Sequence, residues 1–251
     1  MDEPTQPMGA PELWRVSTYL RAQRETDAQR GAGAPVRDSR FASLTPSLLA
    51  DLDRFVDEPG GPELLEVMAA CLRHSQNLAL HVKRGEHVLP LTVFPRERVF
   101  HCPIPLSDLL ESRFDELHLL QCEAAVMRPP GDENQALAAP AANCHPVGPL
   151  LWQLALRGPR MVPLPEIAGP AVYRVTPDLA LPATLRGALG PAVQRLREEP
   201  VSLRALSNWP GMDRERATRL LNALYLQSGL IVSRAHPAAG HDSWFGMLTD
   251  W

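Results

Sequence analysis

Lysine is almost missing from this 251-residue chain: Lys83 is the one lysine among 25 basic residues. Because Ala, Pro and Leu are abundant as well, the imbalance looks like a GC-rich coding bias and is no argument for phosphate binding. Long apolar runs are missing too. The stretch from Leu150 to Leu156 is far short of the roughly 20 residues that span a bilayer, so no membrane segment is expected. The chain opens MDEPTQPMGAPELW, with acidic residues where a secretory signal needs positive charge, and no export signal is expected. Only four cysteines occur, Cys71, Cys102, Cys122 and Cys144, without close pairing, which predicts free buried thiols in a reducing cytoplasm. A G-x-S-x-G nucleophile elbow, a Walker-type phosphate loop and a G-x-G-x-x-G fingerprint are all lacking, so the usual sequence signs of serine hydrolysis and nucleotide binding do not appear.

What is present describes an ordinary globular protein. Apolar residues make up 45% and charged residues 22%, and a net charge of -4 provides no bulk attraction to nucleic acid or anionic membrane. The length suits two modest domains, each with its own core. Residues 1–41 mix Pro, Gly, Gln and Arg around one helical piece, LWRVSTYLRAQRETDAQR, whose Leu13, Val16, Tyr19 and Leu20 form an apolar stripe; the remainder is expected to be flexible.

The pattern predicts an α+β domain over 42–130. Thr45-Pro46 reads as an N-cap with proline at the first helical position, followed by Leu48, Leu49, Leu52 and Phe55. A second helix runs from Glu63 to His74 with Leu64, Val67, Met68 and Cys71 on one face. Two strands then flank a turn at Gly85, a third covers Val99 to Cys102, a short helix follows Pro105, and a last strand starts at Leu117. Residues 131–146 continue a Pro- and Ala-rich stretch without periodicity and are expected to be a linker.

The second predicted domain, 147–236, is mainly helical. A helix from Val147, a strand at Val172 to Val175 and a helical region from Pro182 to Glu199 precede the most ordered pattern in the chain; Gly190-Pro191 is expected to split that region in two. Ser202 caps a short helix, Asn208-Trp209-Pro210-Gly211 breaks it, and Asp213 caps a longer one carrying Ala217, Leu220, Leu221 and Leu224 on one face. Gly229 stands where a left-handed C-cap is expected, and Leu230-Ile231-Val232 reads as a strand. This order of helix, turn, helix and strand resembles the helix-turn-helix core of a winged-helix domain over about 182–234. The resemblance implies a fold module without specifying its use.

Three kinds of site are weighed. On the helix face opposite the stripe, Glu215, Arg219, Asn222 and Leu226 are expected; Glu215 and Arg219 form a self-neutralising i,i+4 pair, and Leu226 suits a protein partner. The tail 237–251 carries Trp244, Phe245, Met247, Leu248 and Trp251, an apolar load suited either to docking on its own domain or to a groove on a partner. Arg214, Arg216 and Arg219 would instead contact DNA if the long helix entered a major groove. Cysteine–histidine neighbours (Cys71 and His74, His101 and Cys102, Cys144 and His145) have weak zinc spacing and are expected to be core thiols and surface histidines. The expectation is therefore a cytoplasmic, non-enzymatic regulatory or adaptor protein acting through another protein, compatible with a homodimer, without catalytic residue, metal or cofactor. A DNA-binding transcriptional regulator is the alternative.

Overall fold

The computed structural model describes residues 13–30, 41, 43–55, 62–182 and 185–235, with backbone alone over 26–30. The fold is α+β, with antiparallel sheets, and the chain divides into two compact units, Met1–Val147 and Gly148–Trp251.

The first unit begins with β1 (Trp14–Arg15) and α1 (Val16–Arg30). Next come α2 (Pro46–Leu52), α3 (Leu64–His74), β2 (Leu78–Arg84), β3 (His87–Phe94) and β4 (Val99–His101), then α4 (Leu106–Leu110), β5 (His118–Ala124) and β6 (Cys144–Pro146). Pro46 starts α2 as expected, yet the Thr45 hydroxyl makes no cap and donates to Gln76 Oε1 at 2.7 Å. Glu63 and Glu66 close a capping box at the start of α3, and Ser75 ends it with φ 50°, so the helix is bounded by local chemistry at both ends.

The sheet order is β5-β2-β3-β4-β6, with β1 also beside β3. Strict alternation sorts its two faces. Leu78, Leu80 and Val82 pair with Val93, Leu91 and Leu89, and all six are buried. The other face carries Ala79, His81 and Lys83 opposite Thr92, Pro90 and Val88. Cys71 of α3 lies close enough to Cys122 of β5 to add to the rise that burial gives the Cys122 pKa, which places α3 on the apolar face. Each fully buried leucine or valine there contributes about 1.5–3 kcal/mol of transfer free energy.

The segment expected to be a linker is built into this unit. Arg128 N donates to Leu137 O at 2.8 Å, Ala139 N donates to Arg128 O at 2.9 Å, and β6 pairs antiparallel with β4 through Val99–Pro146, Phe100–His145 and His101–Cys144. Absence of periodicity marked an irregular path, but β4 offered an open edge that the returning chain satisfies.

The second unit contains α5 (Val147–Arg157), β7 (Val172–Val175), α6 (Leu189–Glu198), β8 (Val201–Ser202), α7 (Leu203–Ser207), α8 (Arg214–Leu226) and β9 (Leu230–Ser233). Its sheet runs β8-β7-β9, so the middle strand comes from upstream of α6. Ser202 Oγ accepts from Ala205 N at 3.3 Å and Asp213 Oδ1 from Arg216 N at 2.7 Å, both caps standing where the sequence predicts them.

Two local expectations change. Gly190 and Pro191 do not divide two helices; they fall in the first turn of α6, where a missing N–H is harmless. Ser228, with φ 59°, takes the left-handed position assigned to Gly229. Gly229 is needed for space instead, since a Cβ there would come within 2.5 Å of the Leu179 side chain.

Candidate functional site

Each unit holds one hollow with chemistry worth describing. In the first, β1 pairs with His87 and Val88 and β4 with Thr92 to Phe94, so residues 89–91 of β3 have β2 on one side and no strand on the other among the described residues. Pro90, with no N–H to leave unpaired, sits in this gap. A cavity of about 360 Å³ opens here, walled by Leu13, Trp14, Val88, Pro90 and Pro103, with Tyr19 and His81 also lining it. Trp14 remains 55% exposed at its edge and meets Tyr19 edge-on at 6.3 Å.

The polar part of this cavity is ordered by hydrogen-bond logic. Tyr19 of α1 donates its one hydroxyl proton to Gln121 Oε1 at 2.6 Å. Its oxygen therefore accepts from His81 Nδ1, 2.9 Å away, which fixes the neutral tautomer with the proton on Nδ1 and a lone pair on Nε2. Burial pushes His81 below the ordinary histidine range, against the opposing pull of Glu123 and Gln121. Burial, and secondarily the charge of Glu123, pushes the Tyr19 phenol up to about 12. The cavity thus presents neutral donors and acceptors behind an apolar rim, an arrangement suited to an apolar side chain or small aromatic group.

In the second unit a cavity of about 410 Å³ is bordered by Arg186, Glu215, Arg216 and Arg219 together with backbone at the start of α6. Arg219 is held inside: Nη1 donates to Leu156 O at 2.7 Å, Nη2 pairs with Glu215 at 3.0 Å, and its side chain is 17% exposed. The expected Glu215–Arg219 pair is present. Arg214 is exposed and does not line the cavity, whereas Arg216 is exposed and does.

The face expected to be open on α8 is closed. Asn222 is fully buried, its Oδ1 accepting from Leu164 N at 2.9 Å and its Nδ2 donating to Val162 O at 3.1 Å. Leu226 is 2% exposed. Neither is a surface contact: the Pro-rich crossing through 162–164 meets the helix at Asn222, which satisfies its Leu164 N–H and Val162 C=O. Past its first turn α8 is a core helix, with Arg219 and Tyr225 its only half-buried positions. Trp244, Phe245, Leu248 and Trp251 lie outside the described residues.

The thiols are poorly disposed to react. Burial pushes Cys71 up to about 12 and Cys122 further, with Cys71 and Glu123 adding to the latter, while Cys102 and Cys144 are also raised by burial. His74 lies 3.1 Å from Asp51 as part of an ion cluster with Arg54 and Arg73. Burial, and secondarily the neighbouring His145, lowers the pKa of His101. Among the described residues no three His, Cys, Asp or Glu side chains converge to hold a metal ion, and no helix is long and apolar enough to cross a membrane.

Sequence reasoning found Tyr19 only as a member of an apolar stripe and passed over Trp14, His81 and Gln121. Tyr19 is 62 positions from His81 and 102 from Gln121, so no local pattern joins them. The available signal was Pro90 inside an otherwise regular strand, which marks an interrupted edge. Compared with known proteins, the chain matches no protein-family model, no curated sequence and no solved structure.

Proposed function

We propose that the protein is a non-enzymatic regulatory or adaptor protein acting through protein contacts, with the cavity beside Trp14 as a seat for an apolar side chain of the partner. The observation that carries this reading is a tryptophan 55% exposed at the rim of an apolar cavity of about 360 Å³. A tryptophan kept in water forgoes the area it could bury, and such residues dominate contact energetics when a partner covers them. The tail from Trp244 to Trp251 belongs to the same reading, as a segment that inserts into a groove on a partner.

The test is capture from the source lysate with full-length wild type, Trp14→Ala and Trp14→Phe, each with and without nuclease. Expected is a defined protein lost with alanine, kept with phenylalanine and indifferent to nuclease. The reading is overturned if Trp14→Ala retains the same proteins or nuclease removes them. Deleting residues 240–251 should lose a tail partner while leaving the melting temperature unchanged; a large drop would make the tail part of the core.

A DNA-binding role, using a winged-helix-like second unit, is the second reading, favoured by the exposed Arg214 and Arg216 in the first turn of α8. It predicts retention on duplex DNA that weakens steeply with salt and is lost when both become alanine.

A further inference from the structure

We propose that the arginine-lined cavity of the second unit binds a small, doubly charged anion of the phosphomonoester class. This inference is independent of the contact site in the first unit. Three arginines, Arg186, Arg216 and Arg219, line the cavity against one carboxylate, Glu215, so its lining residues carry a surplus of two positive charges, with Asp213 beside Arg216 just outside the lining. A phosphomonoester carries about -1.5 to -2 at neutral pH, which matches that surplus.

The three arginines differ in how far they are committed. Arg219 is anchored to Leu156 O and Glu215, but its Nε is buried and without a hydrogen-bond partner among the described residues, a cost a native fold accepts where a ligand can relieve it. Arg216 is steadied by donating from Nη1 to Gly211 O at 2.8 Å, with Asp213 3.9 Å from its Nε. Arg186 is exposed and has no hydrogen bond or ion pair among the described residues. Two arginines held by backbone carbonyls and one free to close over a guest form a preorganised clamp of the type that phosphate oxygens fit bidentately.

The backbone agrees with that polarity. Gly187, Ala188 and Leu189 line the same cavity, and Ala188, the N-cap of α6, has no side-chain acceptor for the first N–H groups of this 10-residue helix. The positive end of α6 is therefore uncapped at the arginine cluster. Gly211, with φ 74°, approaches so closely that an added Cβ would lie 2.9 Å from the Ala188 Cβ, which brings the two sides of the cavity together.

A small free anion is favoured over a nucleic-acid backbone because Arg219 is recessed, its side chain 17% exposed, in a cavity of about 410 Å³. A duplex would meet an exposed row such as Arg214 and Arg216 and would leave Arg219 unused.

The experiment titrates the full chain with phenyl phosphate and inorganic phosphate by calorimetry, with a random-sequence DNA duplex as a third arm. Expected is saturable one-to-one binding of phenyl phosphate, weakened roughly tenfold or more in Arg186→Gln. Because Arg186 is exposed and has no partner among the described residues, that variant should melt at the wild-type temperature without ligand, so lost binding cannot be ascribed to misfolding. Glu215→Gln should tighten binding by removing a competing carboxylate. Binding of inorganic phosphate alone, with phenyl phosphate excluded, would overturn the ester class. Absence of saturable binding below roughly 10 mM, binding indifferent to Arg186→Gln, or tighter binding of the duplex that displaces phenyl phosphate would overturn the site.

Discussion

The two cavities are made of opposite materials. In the first unit a gap in the pairing of β3 leaves Pro90 between β1 and β4, and apolar side chains surround the vacancy with neutral hydrogen bonds behind them. In the second, the segment leading into the uncapped start of α6 and the first two turns of α8 contribute three arginines and a glutamate. Sheets leave an apolar gap where pairing stops, because the side chains of a half-buried strand are already sorted by face. Helices leave a polar one where they begin, because their first N–H groups lack internal partners. The difference teaches that one chain can offer two unlike ligand chemistries without any sequence motif for either.

The strongest way to break this comparison is through the second unit's core. Asn222→Ala should destabilise by about 2–4 kcal/mol in denaturant unfolding, because Leu164 N–H and Val162 C=O lose their partner in a buried place. Leu226→Ala should cost about as much. If both were neutral, α8 would have an open face after all and the contact surface would belong on it.

In the first unit Tyr19→Phe should cost about 1 kcal/mol, since it removes one hydroxyl shared by His81 and Gln121. The matching measurement is the His81 ring resonance by NMR, whose tautomer signature should change when Nδ1 loses its acceptor. An unchanged signature would mean that the hydroxyl does not set the tautomer.

A smaller effect is expected with pH. Burial lowers His81 and His101 in the folded chain, so the unfolded chain takes up these protons first as pH falls through about 6.5. The stability they contribute is complete above that value and declines below it. Wild type should therefore lose melting temperature between about pH 7.5 and 5.5, and His81→Gln should lose less. Equal slopes would remove His81 as a source. The smallest effect on stability is expected for Trp14→Ala, within about 0.5 kcal/mol, although partner capture should fail; a larger loss would make Trp14 structural.

Much of the fold was legible because its signals are local. Asp213 and Ser202 cap the helices they precede, Leu78, Leu80 and Val82 alternate as a half-buried strand must, and Ala217, Leu220, Leu221 and Leu224 are buried in the order their spacing predicts. The capping box of Glu63 and Glu66 is a local signal of the same kind. The sites were less legible. Asn222 and Leu226 lie at positions that a lone helix would expose; packing buries both, and Asn222 meets the crossing at 162–164. The linker expectation failed at Cys144–Pro146 for a related reason: three residues without periodicity become a strand when an edge is waiting for them.

By itself the sequence determined where the capped helices and the alternating strands begin, how those strands' faces divide and that no long apolar span is present, since these follow from backbone chemistry and side-chain period over a few residues. Tertiary structure alone decided which helix faces stay open, which distant groups meet and where cavities form. Tyr19 reaches His81 and Gln121, and Arg186 lines one cavity with Arg216 and Arg219, only because packing brings remote segments together. No local propensity encodes that proximity; it is set by how complementary surfaces bury one another.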